Sequence, residues 1–103
     1  MGFQEIKEEV VSRKLLNYSE EIYSKKPVIN EMLIGLSRKN FFLAEVSDYS
    51  ESFDARALSI YLESLLNGKG SEQGQKLYYE DHFDRIINLS IDWVKTNVKK
   101  NKA

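Results

Sequence analysis

The chain has 103 residues, of which 42% are hydrophobic and 30% are charged, and its formal net charge at pH 7 is −1. These values are ordinary for a small globular protein, so we expect residues 1–103 to form a single domain around one core. A net charge near zero argues against direct nucleic-acid binding, which draws on an excess of lysine and arginine. The absence of cysteine excludes disulfides, a thiolate nucleophile and cysteine-ligated zinc.

The apolar segments are short. The longest, residues 32–36, is far too short to cross a bilayer, and the N-terminus shows no secretory signal. These features predict a cytoplasmic protein without membrane contact.

The first predicted helix covers residues 4–24. Its apolar residues recur with the spacing of one helix face, namely Val11, Leu15, Tyr18 and Ile22. Pro27 cannot continue a helical hydrogen-bond ladder, although it suits a first turn. A helix boundary is therefore predicted at Pro27.

A second helix is predicted from about Pro27 to Val46. One face carries most of its apolar residues, which are Ile29, Met32, Leu33, Leu36 and Leu43. Asn40 interrupts this face, and Gly35 weakens the helix by about 1 kcal/mol relative to alanine. A kink or break is therefore predicted within residues 37–40. The Phe41–Phe42 pair either fills gaps in the core or lines a ligand pocket.

The central predicted helix follows a polar connection at residues 47–52. Asp54 suits the helix start, because its carboxylate can accept a hydrogen bond from a free backbone N–H group. An apolar stripe follows, formed by Ala55, Leu58, Leu62 and Leu65. Asn67-Gly68 is a typical helix end. Ile60 lies opposite the stripe, and is either simply exposed or part of a second buried surface.

Residues 68–74 carry three of the five glycines, and form either a loop or a costly part of a long helix. The last helix is predicted to start near Glu80 or Asp81. Its main stripe is Phe83, Ile87, Ile91, Val94 and Val98, and a second apolar group is Ile86, Leu89 and Trp93. Together they span roughly 200°, wider than the roughly 100° stripe of a surface helix, so this helix is expected to face two surfaces.

No residue pattern indicates catalysis. His82 is the one histidine, and a single histidine between Asp81 and Asp84 is more typical of a structural or exposed side chain than of a metal ligand. No serine is linked to it as a nucleophile would be. Residues 68–71 lack the glycine and lysine positions of a phosphate-binding loop. We therefore predict a protein that is not an enzyme and has no metal site or cofactor.

Two segments resemble a known family. Residues 54–68 have the acidic start, the Ala-Leu run and the Leu-Asn-Gly end of the penultimate helix of TetR-family (tetracycline-repressor-type) regulators. Residues 83–94 resemble the last helix of that family, and the spacing between the two helices is also similar. The resemblance covers about residues 50–98, and residues 4–46 are compatible with it as generic helices.

The resemblance implies an effector-binding and dimerisation domain of a transcriptional regulator. The helical periodicities and the lack of any strand pattern already predict an all-α fold, an antiparallel bundle of four helices, or five if the second is broken. The resemblance adds that the last two helices pair in a homodimer. The expected dimer interface contains Ile60, Ile86, Leu89 and Trp93. A small, mostly apolar effector is expected to contact bulky residues on or beside the inward stripes, namely Met32, Leu36, Phe42 and Tyr61.

The family's N-terminal helix-turn-helix is absent from these residues. The chain is therefore not expected to contact operator DNA by the family's route, and it is expected to be part of a longer regulator. The alternative is a stand-alone small helical adaptor or immunity-type protein that binds a protein partner through a helix face.

Overall fold

Short connections join a series of helices. The computed structural model describes the backbone of residues 3–67 and 72–100 and the side chains of residues 5–67 and 82–100. Within these ranges there are five α-helices, one 3₁₀ helix and no β-strand. The α-helices are α1 (Phe3–Ile22), α2 (Pro27–Arg38), α3 (Asn40–Val46), α4 (Ala55–Asn67) and α5 (Glu72–Asn97), and the 3₁₀ helix (Ser47–Ser52) lies between α3 and α4. The prediction of an all-α bundle is confirmed.

α1 and α2 pack against each other in opposite directions. At the end of α1, the carbonyl of Ile22 accepts a hydrogen bond from the backbone N–H of Lys26 at 2.9 Å. Pro27 then occupies the first turn of α2, where its missing N–H costs no helical hydrogen bond. Near the other end of the pair, the hydroxyl of Ser12 donates to the carbonyl of Ser37 at 3.2 Å. The boundary predicted at Pro27 is confirmed.

Lys39 alone separates α2 from α3. Its backbone is extended, with φ −90° and ψ 106°, and its N–H donates to the carbonyl of Leu36 at 3.2 Å. The break predicted within residues 37–40 is therefore confirmed. After the break, Phe42 is completely buried, whereas Phe41 points outward and is 59% exposed. Phe42 fills the core, and Phe41 does not.

The polar segment between α3 and α4 was expected to be a connection and forms the 3₁₀ helix. The ammonium group of Lys14 on α1 donates to the carbonyls of Ser50 and Phe53, at 3.2 and 3.3 Å. Carbonyls at the end of a short helix have no partner within it, so the lysine supplies donors that are otherwise missing. These bonds fix the start of α4 relative to α1.

α5 begins earlier than predicted. The predicted start lay near Glu80 or Asp81, whereas the backbone is already helical at Glu72. Gly74 is therefore inside the helix, where it costs about 1 kcal/mol relative to alanine. Residues 68–71, including the predicted helix end at Gly68, lie outside the described residues.

A kink divides α5 into two helical segments. His82 has non-helical backbone angles of φ −128° and ψ 23°. The apolar stripe that guided the prediction begins only at Phe83, directly after this kink, so the expected start of the helix corresponds to the start of its second segment. The ring of Phe83 lies over Gly35 of α2, where no side chain stands in the way.

The core lies between the inward faces of the helices. Every α-helix contributes apolar side chains with no more than 1% exposure, and these are Val11, Leu15, Met32, Leu33, Leu36, Phe42, Val46, Leu58, Leu62, Ile86 and Val94. All the α-helical stripes predicted from periodicity therefore have members in the core. The outward faces of α4 and α5 carry the predicted interface.

Candidate protein-interaction surface

α4 is held by a hydrogen-bonded cap. One carboxylate oxygen of Asp54 accepts the backbone N–H of Arg56 at 2.9 Å and that of Ala57 at 3.3 Å. These N–H groups have no acceptor within the helix, so the carboxylate satisfies them. The inward face of α4 buries Ala55, Leu58, Ser59, Leu62 and Leu66. The described part of the helix reaches Asn67, and its start directly after Asp54 agrees with the prediction.

One side of the outward face of α4 carries no charge over two turns. It consists of Ala57, Ile60, Tyr61 and Ser64, whose spacing places them on one side of the helix. Ile60 is 65% exposed. The small side chains of Ala57 and Ser64 flank it, so a second helix could approach this face closely. A single exposed isoleucine is common on a monomer, but this one is next in sequence to Tyr61, whose ring contacts Trp93 of α5.

Tyr61 and Trp93 join the outward faces of α4 and α5. Their rings are stacked, with centroids 5.8 Å apart and planes inclined by 26°. Both side chains are half-buried, as is Leu89 one turn before Trp93 on α5. Ile60, Tyr61, Leu89 and Trp93 are together named the α4–α5 surface below. Three of them, Ile60, Leu89 and Trp93, belong to the dimer interface predicted from the sequence.

Ile86, the fourth predicted interface residue, lies elsewhere. It is completely buried within the single chain, on the same side of α5 as Ser90 and Val94. In this structure it therefore has no surface with which to contact a second copy. The wide apolar arc of α5 is divided between two environments: Ile86 belongs to the core, while Leu89 and Trp93 lie at its edge.

The four residues predicted to contact an effector are not in the walls of the three grooves found among the described residues. Met32, Leu36 and Phe42 are packed into the core with at most 1% exposure. Tyr61 is half-buried at the surface, against Trp93. Helical periodicity identifies inward residues, but it carries no information on whether the space between them is filled. Effector contact at these residues stays a prediction.

Two surface grooves are lined by other residues. A groove of about 230 Å³ lies between the start of α2 and the end of α4, with Pro27, Val28 and Leu66 in its walls. A second groove, of about 330 Å³, lies beside the exposed ring of Phe41 and includes Ile87 of α5. These grooves could not be predicted from the sequence, because each is formed by helices that are distant in sequence.

Two opposite charges lie along one edge of the α4–α5 surface. Arg56 and Glu63 are seven residues apart, nearly two helical turns, and so occupy the same side of α4. Arg56 is exposed and has no charged partner among the described residues. Oε2 of Glu63 accepts a hydrogen bond from the ammonium group of Lys26, in a partly exposed ion pair. Such a pair contributes about 0.2–1 kcal/mol and leaves the carboxylate accessible.

A further ion pair joins α3 to α5. The ammonium group of Lys95 donates to Oε2 of Glu45 at 3.0 Å, and both side chains remain partly exposed. This hydrogen bond, together with the negative charge of Glu45, raises the pKa of Lys95. The pair holds the second segment of α5 against α3 on the side away from α4.

The described residues give little indication of other chemistry. Among the side chains described, no group of three or more histidine, aspartate and glutamate residues is placed to hold a metal ion. Over the same part of the chain, no helix combines the length and the apolar character needed to cross a membrane.

Comparison with known proteins finds no matching protein family, no matching curated protein and no matching solved structure. This chain's own residues, and the resemblance of residues 54–68 and 83–94 to TetR-family helices, are therefore what indicates a function.

Proposed function

We propose that this chain is a helical interaction domain that forms a homodimer through α4 and the second segment of α5. This is the role that the TetR-family resemblance assigns to the last two helices. In this proposal the domain serves a transcriptional regulator by bringing two copies together.

The observation that carries the proposal is the exposed Ile60 on the outward face of α4, which has uncharged side chains on one side and the opposite charges of Arg56 and Glu63 on the other. Burying a fully exposed isoleucine contributes roughly 1.5–3 kcal/mol, and a homodimer gains this twice. The stacked rings of Tyr61 and Trp93 extend the apolar area onto α5. Interfaces are enriched in such aromatic side chains, because these bring large area with few rotatable bonds.

A small apolar effector remains part of the regulator hypothesis. Because Met32, Leu36 and Phe42 are packed against their neighbours, an effector would have to separate them before it could bind. Binding would then depend on a minor, more open conformation, which lowers the apparent affinity by the fraction of molecules that adopt it. Dimerisation needs no such opening, and it is therefore the function that the geometry favours.

The direct test is the mass of the protein in solution. We expect sedimentation equilibrium at micromolar concentration to give twice the 12.0 kDa mass of one chain. Ile60→Glu should shift the equilibrium to monomer, because two carboxylates would have to be buried face to face. Trp93→Glu should also give monomer, but it removes the contact with Tyr61 as well.

Phe41→Glu is the matched control. Phe41 is exposed to a similar extent as Ile60, at 59% against 65%, but lies on α3 outside the α4–α5 surface. We expect this variant to remain dimeric. A monomeric wild-type protein, or loss of the dimer in Phe41→Glu but not in Ile60→Glu, would contradict the proposal. The first result would favour the alternative of an adaptor or immunity-type protein with a different protein partner.

A further inference from the structure

The edge of the α4–α5 surface indicates how two copies would be arranged. We infer that the two α4 helices cross in antiparallel orientation at Ile60, so that Arg56 of each copy pairs with Glu63 of the partner subunit. This inference rests on the proposed homodimer and specifies its register.

The spacing of three residues on α4 supports this register. Ile60 lies four residues after Arg56 and three before Glu63, close to their midpoint. In an antiparallel pair related by a two-fold axis, residues at equal distances on opposite sides of the crossing face each other. A crossing at Ile60 therefore brings Arg56 opposite the partner's Glu63, and the same contact occurs a second time by symmetry.

Both groups have free hydrogen-bonding capacity for this contact. The guanidinium group of Arg56 has no charged partner among the described residues. Glu63 uses Oε2 for the bond from Lys26, which leaves Oε1 free to accept a bond from an arginine. Guanidinium and carboxylate groups have matching geometry, and a carboxylate between a lysine and an arginine is well compensated.

The positions of the two charges also favour a second copy of this chain as the partner, and an antiparallel orientation of that copy. A second copy in antiparallel orientation supplies both complementary charges. A parallel copy would place Arg56 at the level of the partner's Arg56 and Glu63 at the level of the partner's Glu63, and so would supply neither. Charges at the edge of an interface affect orientation and partner choice more than affinity. The uncharged centre around Ile60 would supply most of the attraction, and the two charges would set the register.

Charge reversal tests the register. Arg56→Glu should weaken the homodimer about tenfold, because both symmetric contacts become repulsive. Arg38→Glu is the matched control, because Arg38 is an exposed arginine at the end of α2 without a charged partner among the described residues, and its reversal changes the net charge equally. Glu63→Arg should weaken the homodimer in the same way as Arg56→Glu, and a mixture of the two variants should form the heterodimer preferentially.

The results for these variants also show whether a loss of dimer contradicts the register or the homodimer itself, or only reflects a variant that does not fold. Arg56→Glu places a carboxylate in the first turn of α4, which the helix dipole favours, so this variant should fold even if loss of the Lys26 contact unfolds Glu63→Arg. The register is wrong if Arg56→Glu dimerises as tightly as Arg38→Glu, although a dimer then still exists. A wild-type monomer would contradict the proposed function itself, and the register with it.

Discussion

The tip of the Phe83 ring occupies the space beside Gly35, only 2.6 Å from the position that a Cβ atom at residue 35 would take. This contact explains why α2 contains a glycine in its middle, where helix propensity alone would favour alanine. The glycine allows α5 to come close to α2 directly after its kink at His82. Local helix stability is thus given up for contact between two helices.

Gly35→Ala is expected to destabilise the protein by about 1–2 kcal/mol, despite the higher helix propensity of alanine. The added methyl group would displace the Phe83 ring, and overpacking of this kind costs about 1–3 kcal/mol. In a Phe83→Ala background the same change should be stabilising by up to about 1 kcal/mol. Urea unfolding of the four proteins of this double-mutant cycle measures the coupling energy between residues 35 and 83. Equal effects of Gly35→Ala in both backgrounds would show that the two residues are not coupled.

Asp54→Ala is expected to lower the free energy of unfolding by about 1 kcal/mol, because two N–H groups at the start of α4 lose their acceptor. Asp54→Asn is the control, since its side-chain oxygen can accept the same bonds. The two variants and the wild type should be compared by urea unfolding at one protein concentration. Similar losses in both variants would assign the effect to charge rather than to capping.

Truncation of the two adjacent phenylalanines should change the stability by very different amounts. Phe42→Ala removes a fully buried ring and is expected to cost about 3–5 kcal/mol, since a cavity remains in the core. Phe41→Ala removes an exposed ring and should change the stability by less than about 0.5 kcal/mol. Thermal unfolding measured by circular dichroism is sufficient to separate these values. Comparable losses of stability in the two variants would mean that α3 is rotated about its axis, so that Phe41 is also buried.

Ser90→Ala is expected to stabilise the protein. The Ser90 hydroxyl is completely buried on α5 and has no hydrogen-bond partner among the described residues. An unpaired buried polar group costs about 1–3 kcal/mol, and alanine is also the better helix former. The control is Ser19→Ala, because Ser19 is also buried but donates to the carbonyl of Leu16 at 2.8 Å. If Ser19→Ala increased the free energy of unfolding as much as Ser90→Ala does, this explanation would be wrong.

The ion pair between Glu45 and Lys95 should produce a pH dependence on the alkaline side. Glu45 raises the pKa of Lys95 in the folded protein, so the pair stabilises the fold fully below the pKa of lysine in the unfolded chain. This contribution is lost as the pH rises through the raised pKa of the folded state. The stability difference between the wild type and Lys95→Met should therefore shrink over that range.

Glu45→Gln provides the control for this pH dependence, because it removes the carboxylate and leaves the lysine in place. Its difference from the wild type should shrink over the same alkaline range. The difference in either variant should also decrease with added salt, since both partners are partly exposed. A difference that stays constant while Lys95 loses its proton would assign the effect to packing of the side chains.

Several elements could be predicted from the sequence because their causes are local. The cap at Asp54 depends on residues within one helix, and so does the interruption of the apolar stripe at Asn40. The first segment of α5 was missed because the apolar stripe begins only at Phe83 and Gly74 argues against a helix. No apolar stripe in residues 72–82 predicted that the backbone is helical from Glu72.

The candidate surface was predicted less completely, for a different reason. The outward position of Ile60 follows from the spacing on α4 alone, and the structure agrees. The burial of Ile86 and the contact between Tyr61 and Trp93 depend on how α4 and α5 lie against each other, which periodicity within one helix does not specify. For the same reason, the sequence could not distinguish residues that fill a core, such as Met32, from residues that line a cavity.

The single-residue joint at Lys39 has a consequence for any natural relative with this fold. A residue inserted in the helical part of the interval from Leu36 to Phe42 would turn the faces of α2 and α3 relative to each other by about 100°, and removal of Lys39 would leave no extended residue to form the break. This interval should therefore keep a constant length in an alignment, with gaps confined to other connections. Divergent homologues could be recognised by this invariant interval even where their side chains have changed.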